Sequence, residues 1–259
     1  MDERAVDIFF FTGTGNTLLA SRAVAEGLRR AGKTVRLERL EKGFGPCDEE
    51  AALGIAVPVA CFSTYPFLWE ILDSMPEGNG RGAFFLCTMG GMAGGLGRAM
   101  KAVLSRKGYR LLGRKDFIMP GNYGRKSTSE EKDRPIIARM REEADAFARA
   151  LLDGSASWRA DSPLSPLFHR LSKSRWPWRL MARLYPLAVE RKKCIRCGKC
   201  ARLCPVRNIT MTEYPAFGDR CVSCQRCMAF CPPNAIHVPG KDYRQYRSVE
   251  YSDLLSEGR

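Results

Sequence analysis

The sequence predicts an α/β protein in two parts: a doubly wound, five-stranded parallel sheet over residues 1–152, and a small α+β domain over residues 190–240. Across the first 150 residues, apolar runs of strand length alternate with stretches of helical periodicity, which argues a parallel sheet with helices on both faces. Beyond residue 190 the chain is cysteine-rich and duplicated. Cys194, Cys197, Cys200 and Cys204, followed by Pro205, repeat at a fixed offset as Cys221, Cys224, Cys227 and Cys231, followed by Pro232, and Ile209 matches Ile236. With 259 residues and a hydrophobic share of 45%, there is material for two domains with real cores.

Residues 4–11 (Arg-Ala-Val-Asp-Ile-Phe-Phe-Phe) read as a buried strand that stops at the turn Thr12-Gly13-Thr14-Gly15-Asn16-Thr17. A helix follows over Asn16 to Ala31, with Leu18, Leu19, Val24 and Leu28 at helical spacing and Gly32 ending it. Strands are expected near 34–40 and 52–57, a helix near 66–74, a strand at 83–88, a helix at 95–106, a strand within 108–119 and a long helix over 130–152. Residues 153–189 form a linker. Asp161-Ser-Pro-Leu-Ser-Pro breaks regular structure, and 167–185 mixes Arg and Lys with Phe168, Leu171, Trp176, Trp178, Leu180, Met181 and Leu184. One or two short amphipathic helices split at Pro177 are expected there. The polar stretch 241–259 is a tail, either a short helix or frayed.

Charge is unevenly spread. The net charge is +14, and between 151 and 200 eleven basic residues stand against three acidic ones. The bland reading of this linker is a strap that packs its aromatics between the domains. The sharper one is a docking face for an acidic redox protein, or a peripheral contact with an anionic membrane surface. No helix-turn-helix or RNA-binding signature is present, so no specific nucleic acid is expected. Oligomeric state leaves no signal. The first residues do not resemble a signal peptide, and no apolar run reaches the roughly 18 residues of a membrane span, so a cytoplasmic location is expected. Cys47, Cys61 and Cys87 read as small hydrophobes in a reducing compartment.

The cysteine spacing has a chemical reason. Three thiolates two residues apart on a tight loop can converge on three corners of one iron-sulfur cube, while the fourth lies too far along and ligates the other cluster. This assigns Cys194, Cys197, Cys200 and Cys231 to one 4Fe-4S cluster, and Cys221, Cys224, Cys227 and Cys204 to a second. Zinc favours two separate C-x-x-C pairs, and disulfides would require an exporting sequence.

The first turn is small, hydroxyl-rich and uncharged. Its backbone N–H groups at a helix start can hold a phosphate without a cation, with hydroxyls of Thr12, Thr14 and Thr17 as further donors. It lacks the Gly-Lys-Ser/Thr of a Walker loop, and Leu18 stands where a dinucleotide fingerprint needs a third glycine.

Thr12-Gly13-Thr14-Gly15-Asn16-Thr17 after a first strand resembles the phosphate loop of the flavodoxins. That resemblance implies strand order 2-1-3-4-5 and bound FMN, held by those six residues and by two further loops. The first contributes Pro58, Ala60, Phe62 and Ser63, with Phe62 as the aromatic on one face of the ring. The second contributes Thr88, Met89, Gly90 and Gly91, with Met89 where many flavodoxins carry an aromatic. Asn122 and Tyr123 would border the site. Residues 190–240 resemble a bacterial-type two-cluster ferredoxin, and the two parts together resemble the flavodoxin-ferredoxin fusion proteins of anaerobic metabolism. The implied activity is low-potential electron transfer between FMN and two 4Fe-4S clusters in one chain.

No catalytic triad, no H-E-x-x-H and no carboxylate pair placed by spacing is found, so no catalytic residue is assigned. The two histidines, His169 and His237, read as a surface residue and a local packing residue. One alternative is a flavin-dependent reductase with its own organic substrate. Another is a cluster-stapled binding module with a vacant flavodoxin shell, its basic linker touching nucleic acid or membrane.

Overall fold

The computed structural model describes residues 1–45, 48–122, 130–158, 170 and 174–257. Strands β1 (Ala5–Phe10), β2 (Thr34–Arg39), β3 (Ala52–Pro58), β4 (Gly82–Met89) and β5 (Arg110–Ile118) form one sheet in the order β2-β1-β3-β4-β5. Every pairing in it is parallel. Helices α1 (Asn16–Arg30), α2 (Pro66–Asp73) and α3 (Leu96–Arg106) cross between strands, the β2–β3 connection carries only the short 3-10 turn Leu40–Lys42, and α4 (Glu130–Asp153) follows the last strand. The period-2 alternation of a strand explains the two cores. Val6, Ile8 and Phe10 of β1 pack with Leu18, Val24 and Phe147 on the α1/α4 face, whereas Phe9 and Phe11 pack with Leu68, Trp69 and Met100 on the α2/α3 face. Both faces of β4 are covered, so all eight of its residues are buried. The direction of winding reverses between β1 and β3, which puts a switch-point crevice at the carboxyl ends of those strands.

The linker contains α5 (Arg175–Leu184), which runs through Pro177 rather than splitting there. Pro177 falls in the first turn, where a missing N–H breaks no intrahelical bond. Trp178 is only 5% exposed and packs 5.3 Å from Tyr65, so this part of the linker belongs to the α2/α3 core. Cys47, Tyr123, Phe168, His169 and Leu171 lie outside the described residues.

The cysteine-rich part holds two antiparallel pairs, β6 (Ala188–Val189) with β9 (Ile236–His237) and β7 (Ile209–Met211) with β8 (Pro215–Phe217). Between them lie two short helices, α6 (Lys199–Leu203) and α7 (Arg226–Ala229). The duplication, an offset of 27 residues, is repeated in the backbone. Arg196 and Ser223 have φ 55° and 53°, Gly198 and Gln225 67° and 61°, and Arg207 and Asn234 50° and 51°. The sulfurs of Cys204 and Cys231 each accept an N–H from four residues on, at 3.2 Å, donated by Asn208 and Ala235.

The tail is anchored. Helix α8 (Tyr251–Ser256) starts with a capping box between Glu250 and Asp253, and Leu254 is fully buried. Arg22 of α1 pairs with Asp253 at 3.1 Å and Glu257 at 2.8 Å. Among the described residues, no helix is long and apolar enough to cross a membrane.

Candidate functional site between the sheet edge and the second cysteine loop

The turn after β1 is buried from Phe11 to Leu18 and braced from within. The Thr12 hydroxyl accepts from Gly15 N at 2.9 Å, the Thr14 hydroxyl from Asn122 Nδ2 at 3.0 Å, and the Thr17 and Thr88 hydroxyls share a bond of 2.8 Å. Asn16 Nδ2 donates to Pro120 O at 3.1 Å, while its Oδ1 accepts from the Tyr246 hydroxyl of the tail at 2.7 Å. Gly15, at φ 106°, turns the chain into α1, whose first bond is Leu19 N to Gly15 O. The backbone N–H groups of Gly13, Thr14, Asn16 and Thr17 have no acceptor among the described residues. Free donors gathered at a helix start suit an anion that accepts them.

This turn opens on a cavity of about 440 Å³. From the sheet edge it is lined by Thr12 to Thr14, Asn16, Thr17, Pro58 to Cys61, Tyr65, Thr88 to Gly90 and Pro120 to Asn122. Trp178 and Met181 of α5 close one side, and Ser223, Cys224 and Gln225 of the second cysteine loop another. Of the residues expected at the site, Gly15, Phe62, Ser63 and Gly91 are absent from the lining. Ser63 is wholly buried and bonded through its backbone to Ala60 at 2.9 and 3.0 Å. With Cys61 at φ 47° and Phe62 at φ 62°, that tight bridge leaves Phe62 half exposed, its carbonyl held by Gly95 N at 2.8 Å. Tyr65 and Trp178, their rings 5.3 Å apart, are the aromatic residues of the lining. Trp178 was visible in the sequence as a linker aromatic, but nothing local says which one enters the site.

The eight expected cluster cysteines divide between two other cavities. Cys204, Cys221, Cys224 and Cys227 line one small cavity, and Cys194, Cys197, Cys200 and Cys231 line another. Each set is the crossed one. Burial pushes the Cys224 thiol up to about 12, with Cys221 and Cys204 adding to it against Arg226. Burial, then the neighbouring sulfurs, pushes Cys227 well above its ordinary value. Cys200 and Cys221 are raised by burial too. Four sulfurs crowded together, partly or wholly buried, fit a cationic metal centre, whose charge makes adjacent thiolates tolerable. The ten described cysteines are free of disulfides, and among the described residues no three His, Cys, Asp or Glu side chains are gathered for a single metal ion.

Two contacts join the second cysteine loop to the phosphate-type turn. A Cβ on Gly13 would stand 2.1 Å from the carbonyl oxygen of Cys224, so backbone lies directly on backbone. Arg226, the largest fully buried side chain, donates to Thr12 O from Nε at 2.9 Å and Nη2 at 2.7 Å, and to Glu41 Oε1 from Nη1 at 2.6 Å. Its guanidinium lies 4.5 Å over the Phe11 ring. Sequence reading missed Ser223, Gln225 and Arg226. The signal that could have found them is Gln225 itself, a non-glycine at the position where the first repeat has Gly198.

Residues 187–210 and 218–244 match two models of 4Fe-4S binding domains. No curated protein sequence matches the chain. Among solved structures the chain is similar to a flavodoxin from the domain Archaea, with 10% identity, TM-score 0.39, and coverage of 57% of this chain and 99% of that one. It is also similar to a Megasphaera elsdenii flavodoxin (19%, 0.36, 54% and 98%) and to an NAD(P)H:quinone oxidoreductase from Methanothermobacter marburgensis (15%, 0.38, 55% and 98%). The strand order, read from the sheet itself, is the flavodoxin-like one. The chain thus joins a flavodoxin-like sheet to two 4Fe-4S binding domains, a combination that supports redox electron transfer.

Proposed function

We propose that the large cavity holds FMN and that the chain is an electron relay, passing charge between that cavity and an external redox protein by way of the two clusters. The observation that carries this reading is the cavity wall. Cys224, a ligand of the second cluster, lies in the lining opposite the phosphate-type turn, so no other protein layer separates the two sites. FMN, when bound, supplies a carrier of one or two electrons, and each cluster one that carries a single electron. The turn residues Gly13, Thr14, Asn16 and Thr17 hold the phosphate, Tyr65 and Trp178 shield the cavity from water, and Cys224 closes the path. One chain keeps the transfer intramolecular, at high effective concentration.

The first cluster is the outer one. Its loop exposes Ile195 between Cys194 and Cys197, and Lys192, Lys193 and Arg196 surround it, a face whose charge suits an acidic redox protein. A second reading is favoured by α5, where Trp176, Leu180 and Leu184 are exposed at helical spacing beside the basic Arg179 and Arg183. That stripe fits peripheral contact with an anionic membrane, and co-sedimentation with phosphatidylserine vesicles, lost in W176A/L180A, tests it.

Anaerobic reconstitution tests the main reading. The expected protein takes up one FMN and about eight irons, the number two cubes contain, and its clusters bleach when the flavin is photoreduced. Failure to bind FMN, or a flavin whose reduction leaves the clusters oxidised, overturns the relay.

A further inference from the structure

The duplication contains its own control. Lys199 and Arg226 occupy matching places in the two repeats, each just before the third cysteine. Lys199 is half-buried, with Nζ 4.3 Å over the Tyr251 ring. Building a cluster at this point therefore requires no arginine and no fork of donors. Arg226, however, is 1% exposed and places two donors, Nε and Nη2, on one carbonyl oxygen, that of Thr12. Nη1 is occupied by Glu41, whose carboxylate also takes Arg39 at 2.7 Å.

A peptide unit is planar and trans, so its carbonyl and the following N–H point in opposite directions. Fixing the Thr12 oxygen toward the cluster half fixes the Gly13 N–H toward the other side of the turn, where it has no acceptor among the described residues. The tail bonds the turn two peptides further on, where Ser248 N donates to Thr14 O at 2.9 Å. The turn is thus oriented by donors from outside the sheet half.

We infer that Arg226 is a positioning residue of the phosphate turn, supplied by the cluster half: its grip on the Thr12 carbonyl presents the Gly13 N–H to a phosphate monoester. Affinity for a phosphorylated flavin then depends on a residue that stands between two cluster ligands. This rests on the FMN reading above.

The test uses the full chain, anaerobically loaded with iron and sulfide, and titrates FMN and riboflavin by flavin fluorescence. Wild type is expected to prefer FMN. R226M and R226K are expected to lower the FMN-to-riboflavin affinity ratio about tenfold, the worth of a lost charge-assisted hydrogen bond, with riboflavin affinity changed less than about threefold. R226K is decisive if R226M does not load iron, because lysine keeps the charge but cannot fork onto one oxygen. K199M, at the matching place, leaves the ratio as in wild type. Equal loss of both flavins, or an unchanged ratio in R226K, overturns the inference while the FMN reading stands. A wild type that binds neither flavin overturns both.

Discussion

Ile195 and Val222 are equivalent residues of the duplication, yet the first is 63% exposed and the second 8% exposed. Gly198 and Gln225 are both half-buried, but Gln225 lines the cavity at the sheet edge, and Lys199 packs on Tyr251 of the tail where Arg226 packs on Thr12: the first repeat turns this loop to solvent and the tail, the second turns it to the sheet half. What both repeats share is what a cluster needs, namely the cysteine spacing, the left-handed residues of the loop and an N–H donated to the fourth sulfur. The residues between the cysteines are free to follow their surroundings. In the first repeat they give an exposed apolar residue and cations. In the second they give a buried cation and a strained glutamine against a cavity.

The largest test of this contrast is stability. Arg226→Met removes one partner of a buried ion pair and should lower the unfolding free energy by about 3–5 kcal/mol, read from denaturant midpoints. Lys199→Met, which loses a half-exposed cation–π contact, should cost under about 1 kcal/mol. Equal losses would show that the two repeats carry the same load.

Gly13→Ala should cost about 1–3 kcal/mol, because its Cβ meets the Cys224 carbonyl and backbone cannot easily retreat. Gly90, which faces open space, should accept alanine within about 0.5 kcal/mol in the same thermal melts.

A reciprocal swap separates strain from contact. Gln225→Gly should raise stability by about 1 kcal/mol, and Gly198→Gln should lower it by a similar amount, since left-handed backbone costs a non-glycine residue about 1–2 kcal/mol. Should Gln225→Gly destabilise instead, the glutamine holds the cavity wall by its side chain.

The smallest effect concerns acid. Burial pushes the Glu41 carboxyl up, but Arg226 and Arg39 outweigh it and hold it below its ordinary 4.5. A depressed folded-state pKa stabilises above pH 4.5, and that contribution is lost as pH falls through the folded value. Glu41→Gln should flatten the fall in stability below pH 4.5, measured by denaturant titration at successive pH values.

Much of the molecule can be read residue by residue. The five strands and four helices of the sheet half lie within a residue or two of where apolar periodicity puts them, because each buries a face whose pattern is local. The two sets of cysteines that share a cavity follow from spacing for the same reason. Phe62 stands outside the cavity lining because the bridge between Ala60 and Ser63 is decided by backbone turning, which no pattern of apolar residues encodes. The tail looked merely polar, although Tyr246, Val249 and Leu254 stand in it and become its buried contacts. Pro177 looked like a break because its place within the helix, first turn or middle, depends on where the helix starts.

By itself the amino-acid order determined the sequence of elements and the grouping of the cysteines, since each depends on periodicity or on spacing over a few residues, while the order of strands in the sheet followed only from the resemblance. Only the tertiary structure decided which of two equally spaced cysteine loops meets the first strand's turn. That choice rests on burying Arg226 between Thr12, Glu41 and Phe11, residues about 185 to 215 positions away, and an ion pair of that range is invisible until the chain closes and water leaves it.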